Sequence, residues 1–440
     1  MGRSLPLVVR AVVVLFLEVQ RAGKEEVKCA GKEEVKRAGK DFLKSLFGGQ
    51  NIDGKLENAA DTTGLFIFNL SVGTPSPQNI SSILDITSSL VWSQCAPCTA
   101  CLPPPAPTFQ PNLSPTFVKL PCGSQTCQQV LKQTCAADAT DDSCGYIAIY
   151  DEDTNTTGYL ATDTFTFDST QIPGLVFGCS STSVGDFSGA SGIFGFNRGP
   201  LSLVSQLHLS WFSYFLAPED FDSGVFFQLG GDDNVTWTQN SPSTRLLTSP
   251  LHPDLYFVNL TGIRVNGEDL DIPAGTFDFR ANGSGGAFLS TTMPVTFLEE
   301  AAYNIVRQAF VNSIASQPVN GSELGLDLCY TMQSNVTVPK LTLVFHGTNA
   351  TMELNKYNYF FADNTTGLEC LSILPSPAGV SLSLLGSLLQ TGTIMTYDIT
   401  NEKLIFETAA EPPASSLGSR ASLMMVFPLA VCMGAAILAI

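Results

Sequence analysis

The strongest constraint on this chain is a pattern that it contains twice. In Ile83-Leu84-Asp85-Ile86-Thr87-Ser88-Ser89-Leu90-Val91-Trp92 an apolar run ends on an acid, passes through small hydroxyl residues and returns to an apolar run. Ala287-Phe288-Leu289-Ser290-Thr291-Thr292-Met293-Pro294-Val295-Thr296 makes the same passage. Each copy is followed by an apolar pair closed by glycine, Ile193-Phe194-Gly195 after the first and Leu384-Leu385-Gly386 after the second. A repeat on this scale predicts two similar lobes, each holding a strand-loop-strand unit. Asp85 then stands at the tip of a buried strand, where a carboxylate must be hydrogen-bonded, paired or chemically employed. An isolated Asp-x-x-Ser is as readily a loop cap. The second copy favours employment.

The chain here resembles the pepsin-like aspartic proteases, most closely their plant nepenthesin-like branch. Carrying the resemblance are Leu90-Val91-Trp92-Ser93-Gln94-Cys95-Ala96-Pro97-Cys98, Phe177-Gly178-Cys179, Arg198-Gly199-Pro200-Leu201-Ser202-Leu203-Val204-Ser205-Gln206-Leu207, Tyr397-Asp398 and Glu402-Lys403-Leu404, within Gly64 to Phe406. The resemblance implies a mainly β, bilobal pepsin-like aspartic protease fold with short helices. It also implies one catalytic Asp per lobe, sharing a proton across the lobe interface. Asp85 matches the first, and Ser290 stands at the position of the second. A hydroxyl neither carries the shared proton nor perturbs Asp85 by charge, so peptidase activity is expected to be lost or severely reduced. Ile86 replaces a family threonine that helps lock the two active-site loops, which leaves Thr291 alone in that role, while Thr87 and Thr292 replace small residues. Ser88, Thr291 and Tyr150 are the matching substrate-side residues. Tyr150 falls on a hairpin expected between Cys144 and Phe167, the family's flap, whose tip Asp151-Glu152-Asp153 is acidic where active relatives carry glycines.

Three functions follow as alternatives: a crippled aspartic endopeptidase, an active one with an unusual site, and a secreted or cell-surface binding or inhibitor protein like the cereal xylanase inhibitors, which resemble this family. Each places a polypeptide substrate or protein ligand in the inter-lobe cleft of a monomer. Other enzyme classes lack their residues. Only His208, His252 and His346 are present, with no Gly-x-Ser-x-Gly elbow and no phosphate-binding glycine loop, and no cofactor is expected. Residues 1–50 hold 10 of the 22 basic and 6 of the 40 acidic residues, so the rest of the chain is strongly acidic, which argues against nucleic-acid binding.

Cysteine usage points to an oxidising compartment. Cys95, Cys98, Cys101, Cys122, Cys127, Cys135, Cys144, Cys179, Cys329 and Cys370 form an even set, enough for five bridges. Cys329 and Cys370, the pair in the second lobe, are expected to join. Cys95-x-x-Cys98-x-x-Cys101 has spacing that zinc could use, but stapled surface loops are the stronger account, and no metal is expected. A family cysteine pair is missing at Phe212-Ser213-Tyr214-Phe215 and beyond Phe406. Sequons at Asn69, Asn79, Asn155, Asn234, Asn259, Asn282, Asn320, Asn335, Asn349 and Asn364 suggest a glycosylated chain of the secretory pathway, extracellular or at the cell surface.

The expected organisation begins with residues 1–50, a signal-like apolar run followed by a low-complexity repeat of Ala-Gly-Lys-Glu-Glu-Val-Lys. Residues 60–245 form the first lobe with its cysteine-rich insert, 246–408 the second, 409–421 a linker and 422–440 an apolar tail. The small residues, spacer and terminal apolar run read as a GPI-attachment signal, with a spanning helix as the competing form of membrane attachment. Pro200 is expected to open a short helix. Thr296-x-x-Glu299 is expected to be a capping box for a helix with the face Leu298, Ala301, Ala302, Ile305 and Ala309.

Overall fold

A computed structural model of the protein describes residues 65–408 apart from 105, 131, 136–141, 151–153, 168–169, 219–224, 231–240, 333–336 and 378, together with residues 425–426. The expectations for the segment 1–50, the acidic hairpin tip, Asn234, Asn335, the linker 409–421 and nearly all of the tail lie outside the described residues. Among the described residues, no helix is long and apolar enough to cross a membrane.

The fold is mainly β with a few short helices. Ile67–Val72 shows why these segments become strands: Phe68, Leu70 and Val72 are buried while Asn69 is exposed, a period of two that presents one face to the core. Gln78–Asp85 begins with similar alternation and then turns continuously buried from Ser82 to Asp85. The change follows from its neighbours, since it lies between Ile67–Val72 on one side and Gly192–Gly195 on the other.

The two copies of the sequence pattern have the same connectivity. Gln78–Asp85 runs parallel to Gly192–Gly195, which pairs antiparallel with Trp92–Gln94, which runs parallel to Thr170–Val184. Ala287–Leu289 likewise runs parallel to Ser383–Leu385, which pairs antiparallel with Thr296–Leu298, which runs parallel to Ile373–Pro375. Gly195 and Gly386 are required by the close passage of the returning loop. A Cβ on Gly195 would overlap the Ser88 carbonyl oxygen, and one on Gly386 the carbonyl oxygens of Pro294 and Val295.

Packing fixes the first unit. Phe194 meets Phe68 edge-on at 5.5 Å and Phe165 at 5.6 Å, which ties the strand beside Asp85 to other strands of its own sheet. Each such pair contributes about 0.5–1.5 kcal/mol beyond its buried area. The halves also share a sheet. Trp211–Leu216 pairs with Thr393–Asp398, and Ser243–Leu247 pairs with Lys403–Thr408. Across the first of these contacts Phe212 stacks on Tyr397, with centroids 4.6 Å apart.

The helices differ in detail from the sequence reading. The first-lobe helix is Leu203–Gln206, capped by Ser202, whose side chain accepts from the Ser205 N–H. In the second lobe Thr296 belongs to a strand, where its hydroxyl accepts from the Gly386 N–H at 3.0 Å, so the expected capping box does not form. Glu299 itself caps the helix Glu300–Ser313, accepting from the Ala301 N–H at 2.8 Å. The buried face is Ala302, Tyr303, Val306 and Phe310. Ala301 is exposed, Ile305 and Ala309 are half-buried, and Leu298 is buried from the preceding strand. The expected face thus runs across the boundary between the strand and the helix.

All ten cysteines named above are bridged, as Cys95–Cys179, Cys98–Cys101, Cys122–Cys135, Cys127–Cys144 and Cys329–Cys370. Their sulfurs are therefore spent on one another, including those of the Cys95-x-x-Cys98-x-x-Cys101 run.

Candidate active site

Asp85 ends its strand with 3% of its surface exposed. Its Oδ1 accepts from the Thr87 N–H at 2.8 Å and from the Thr87 hydroxyl at 2.6 Å, while Oδ2 accepts from the Ser88 hydroxyl. Three donors thus converge on one carboxylate, replacing the water it lost on burial. The Thr87 hydroxyl is a contact that the sequence reading missed: a side chain standing where small residues are expected turns inward to the acid.

Ser290 occupies the equivalent place in the second unit. Asp85 lies opposite Gly195 in the ladder, and Ser290, following Leu289 opposite Leu385, lies beside Gly386. Its Oγ accepts from the Thr292 N–H at 3.3 Å and the Met293 N–H at 3.2 Å, and lies 3.3 Å from the Thr292 hydroxyl. The contacts from the residue two positions on, backbone N–H and hydroxyl, therefore recur around a neutral acceptor, while the Met293 N–H stands where the first loop uses the Ser88 hydroxyl. Ser290 is as buried as Asp85.

Thr291 joins the two loops. Fully buried, its hydroxyl donates to the Leu84 carbonyl at 2.7 Å and accepts from the Ile86 N–H at 3.2 Å, bracketing Asp85 on both sides. Ile86, also fully buried, has no hydroxyl to return the pair. Two amides not singled out in the sequence hold the loops from behind. Asn197 Nδ2 donates to the Thr87 carbonyl at 3.0 Å, and Gln390 Nε2 donates to the Ser290 carbonyl at 2.8 Å. Their signal is positional, since each follows the glycine that closes its repeat. Gln390 Oε1 in turn accepts from Tyr214, whose hydroxyl lies 3.0 Å from that of Tyr397.

The hairpin expected over Cys144 to Phe167 forms from Gly145–Ile149 and Asn155–Phe167. Tyr150 closes it, its N–H donating to the Thr154 carbonyl at 2.8 Å. Its hydroxyl accepts from Trp92 Nε1 at 2.6 Å, and Ser88, whose hydroxyl donates to Asp85, lies close by. Phe187 backs the aromatic pair edge-on, 5.1 Å from Trp92 and 6.2 Å from Tyr150. Burial, and after it the negative charge of Asp85, push the Tyr150 hydroxyl well above the ordinary tyrosine pKa. It remains a neutral hydrogen-bonding group. Chemically the arrangement offers one carboxylate, three hydroxyl groups and an aromatic wall, without a second acid in the symmetric position.

The described sequons differ in exposure. Asn69, Asn79, Asn282, Asn320, Asn349 and Asn364 are exposed, and Asn155 and Asn259 are half-buried.

Comparison with known proteins identifies the family. The family models for the xylanase inhibitor N-terminal and C-terminal regions match residues 66–231 and 255–408. Aspartic proteinase nepenthesin-2 of Nepenthes gracilis is 35% identical over 347 residues, covering 78% of this chain and 77% of its own. Nepenthesin-1 of the same plant is 36% identical over 351 residues, covering 79% and 78%. The fold is similar to the crystal structure of edgp, with a TM-score of 0.62 at 17% identity over 78% of this chain and 91% of that one. It is also similar to soybean Basic 7S globulin, with a TM-score of 0.59 at 18% identity over 79% and 94%. With both family models matched across the two repeated units and the Asp85 loop at their junction, the chain belongs to the plant pepsin-like aspartic protease family, in its nepenthesin-like branch.

Proposed function

We propose that this protein descends from aspartic endopeptidases and has lost all or nearly all peptidase activity, retaining the cleft as a binding site for polypeptide. The observation that carries the reading is Ser290, a neutral hydroxyl in the ladder position that mirrors Asp85. In this chemistry one carboxyl acts as base on a water while the other donates to the scissile carbonyl. Removing one member of such a catalytic unit commonly costs about 10^4-fold or more in rate. The test is proteolysis of a denatured protein substrate by purified wild type and by Asp85→Ala at about pH 2.5–5, the range in which a shared-proton dyad operates. Equal, background-level cleavage supports the reading. Acid proteolysis that disappears in Asp85→Ala overturns it in favour of an active enzyme with an unusual site.

A second reading has its own support. Both matched family models describe xylanase inhibitor regions, which favours a secreted or cell-surface protein that binds and inhibits a glycoside hydrolase. Loss of xylanase activity on titration with this protein tests it, and an unchanged rate at saturating concentration removes it. Five bridges and six exposed sequons support a glycosylated, extracellular monomer, held at the membrane through a GPI signal in the apolar C-terminal run. Mass shift on enzymatic deglycosylation and release by a phosphatidylinositol-specific phospholipase test these two parts separately.

A further inference from the structure

The five disulfides among the described residues are not equivalent. Cys95–Cys179, Cys127–Cys144 and Cys329–Cys370 have both cysteines buried. Cys98–Cys101 and Cys122–Cys135 each join a half-buried cysteine to an exposed one. Exchange requires a thiolate to reach a sulfur along the S–S axis, so access separates these two from the others. Between the two, ring size decides. Cys122–Cys135 closes a separation of 13 residues and Cys98–Cys101 a separation of 3. A short ring withdraws little entropy from the unfolded chain, so the fold depends least on the Cys98–Cys101 bond.

The loop around that bond is also held without it. Cys95 and Thr99 donate their N–H groups to the Ser180 and Ser181 carbonyls at 2.9 and 2.7 Å, and Ser183 donates to the Ala100 carbonyl at 2.9 Å. Ala96 donates to the Phe109 carbonyl at 2.8 Å. The buried side chain of Gln94 accepts from the Leu102 N–H and donates to the Thr108 hydroxyl at 2.7 Å. Of these contacts, those of Cys95, Thr99 and Ala100 hold the segment on the strand Thr170–Val184, and Gln94 holds its far end at Leu102. They keep the two Cα atoms near their bridged separation of 5.5 Å, ready to re-close.

We propose that Cys98–Cys101 is a thiol–disulfide exchange site, taking a small dithiol or a protein dithiol as its reductant while the other four bridges persist. The reductant's thiolate attacks the exposed Cys101 sulfur, the S–S bond breaks, and its electron pair leaves on Cys98 sulfur, which takes a proton. The reductant's second thiol then attacks the mixed disulfide, releasing Cys101 as a thiol and closing the reductant's own disulfide. Two electrons and two protons pass from reductant to protein, and an oxidised dithiol reverses the step.

The experiment titrates the full oxidised chain with dithiothreitol under native conditions, quenches with acid, alkylates and maps the labelled cysteines by mass spectrometry, with circular dichroism recorded alongside. Cys98 and Cys101 are expected to label together at a reductant concentration at least about tenfold below that for any other pair, with the spectrum unchanged. Oxidised dithiothreitol is expected to restore the bridge. In Cys98→Ser/Cys101→Ser the early label is expected to vanish with the spectrum preserved. Labelling of Cys122 and Cys135 first or simultaneously, or labelling of Cys98 and Cys101 that coincides with loss of the spectrum, overturns the proposal.

Discussion

Thr291→Val removes one hydroxyl and two buried hydrogen bonds between the loops, one to the Leu84 carbonyl and one from the Ile86 N–H. Valine matches threonine in shape, so the substitution creates no cavity and the cost lies in the two backbone groups left without that partner. A buried donor or acceptor so stranded costs about 1–3 kcal/mol. The carbonyl has a second lone pair with which to recover, so about 2–4 kcal/mol is expected for the pair. Unfolding entropy near 2.1 cal/mol/K per residue over the described fold converts this to a fall in Tm of about 3–6 °C. Thr261→Val is the matched control, because its hydroxyl donates to the Val344 carbonyl at 3.0 Å from an exposed position. Such a surface change is expected to stay within about 0.5 kcal/mol. Scanning calorimetry of both variants beside wild type makes the comparison. If Thr291→Val melts with wild type or with the control, the threonine is not what joins the loops, and the account of a single surviving lock is wrong.

Other outcomes follow from the same geometry. Tyr150→Phe removes the acceptor of the Trp92 indole N–H, and a changed Trp fluorescence spectrum with a stability loss of about 1 kcal/mol is expected; an unchanged spectrum contradicts the Trp92–Tyr150 contact. Gly386→Ala drives a Cβ into the carbonyl oxygens of Pro294 and Val295 and is expected to cost about 1–3 kcal/mol in denaturant unfolding, whereas Gly123→Ala, with open space at its Cβ, is expected to be near neutral. Burial of His252 lowers its pKa, so the folded state binds its proton less readily than the unfolded chain does. The stability it supports is complete above its unfolded value of about 6.5 and is lost as pH falls below it, and His252→Gln is expected to flatten that part of a Tm-against-pH curve.

Much of the architecture was legible because the pattern is local and occurs twice. An apolar run ending in Asp85 or Ser290, followed later by an apolar pair and glycine, encodes a strand, a loop and the parallel strand beside it, and the two glycines are forced by the close passage of the loops. The hairpin ending at Tyr150 was legible from its two apolar strands, and the tyrosine's place in it from the family resemblance. What escaped depends on side-chain direction or on partners distant in sequence. Thr87 looked like an obstruction, but its hydroxyl has a carboxylate two residues away to satisfy. Gln390 reads as an ordinary polar residue until its side chain is seen spanning the Ser290, Leu385 and Gly386 carbonyls. Thr296 and Glu299 fit a capping box in spacing, yet a strand claimed the threonine, whose backbone pairs beside Ile373 while its hydroxyl serves the Gly386 N–H.

Restoring the second acid tests the central claim most directly. Ser290→Asp places a carboxyl among the Thr292 and Met293 N–H groups that now serve the serine hydroxyl, facing the loop that carries Asp85. Cleavage of a denatured protein at about pH 2.5–5 by Ser290→Asp, wild type and the Asp85→Ala/Ser290→Asp double variant is the measurement. The account predicts activity in Ser290→Asp alone, with the other two at background. Wild-type cleavage equal to that of Ser290→Asp, or a folded Ser290→Asp protein without activity, would show that the missing carboxylate is not what limits this site.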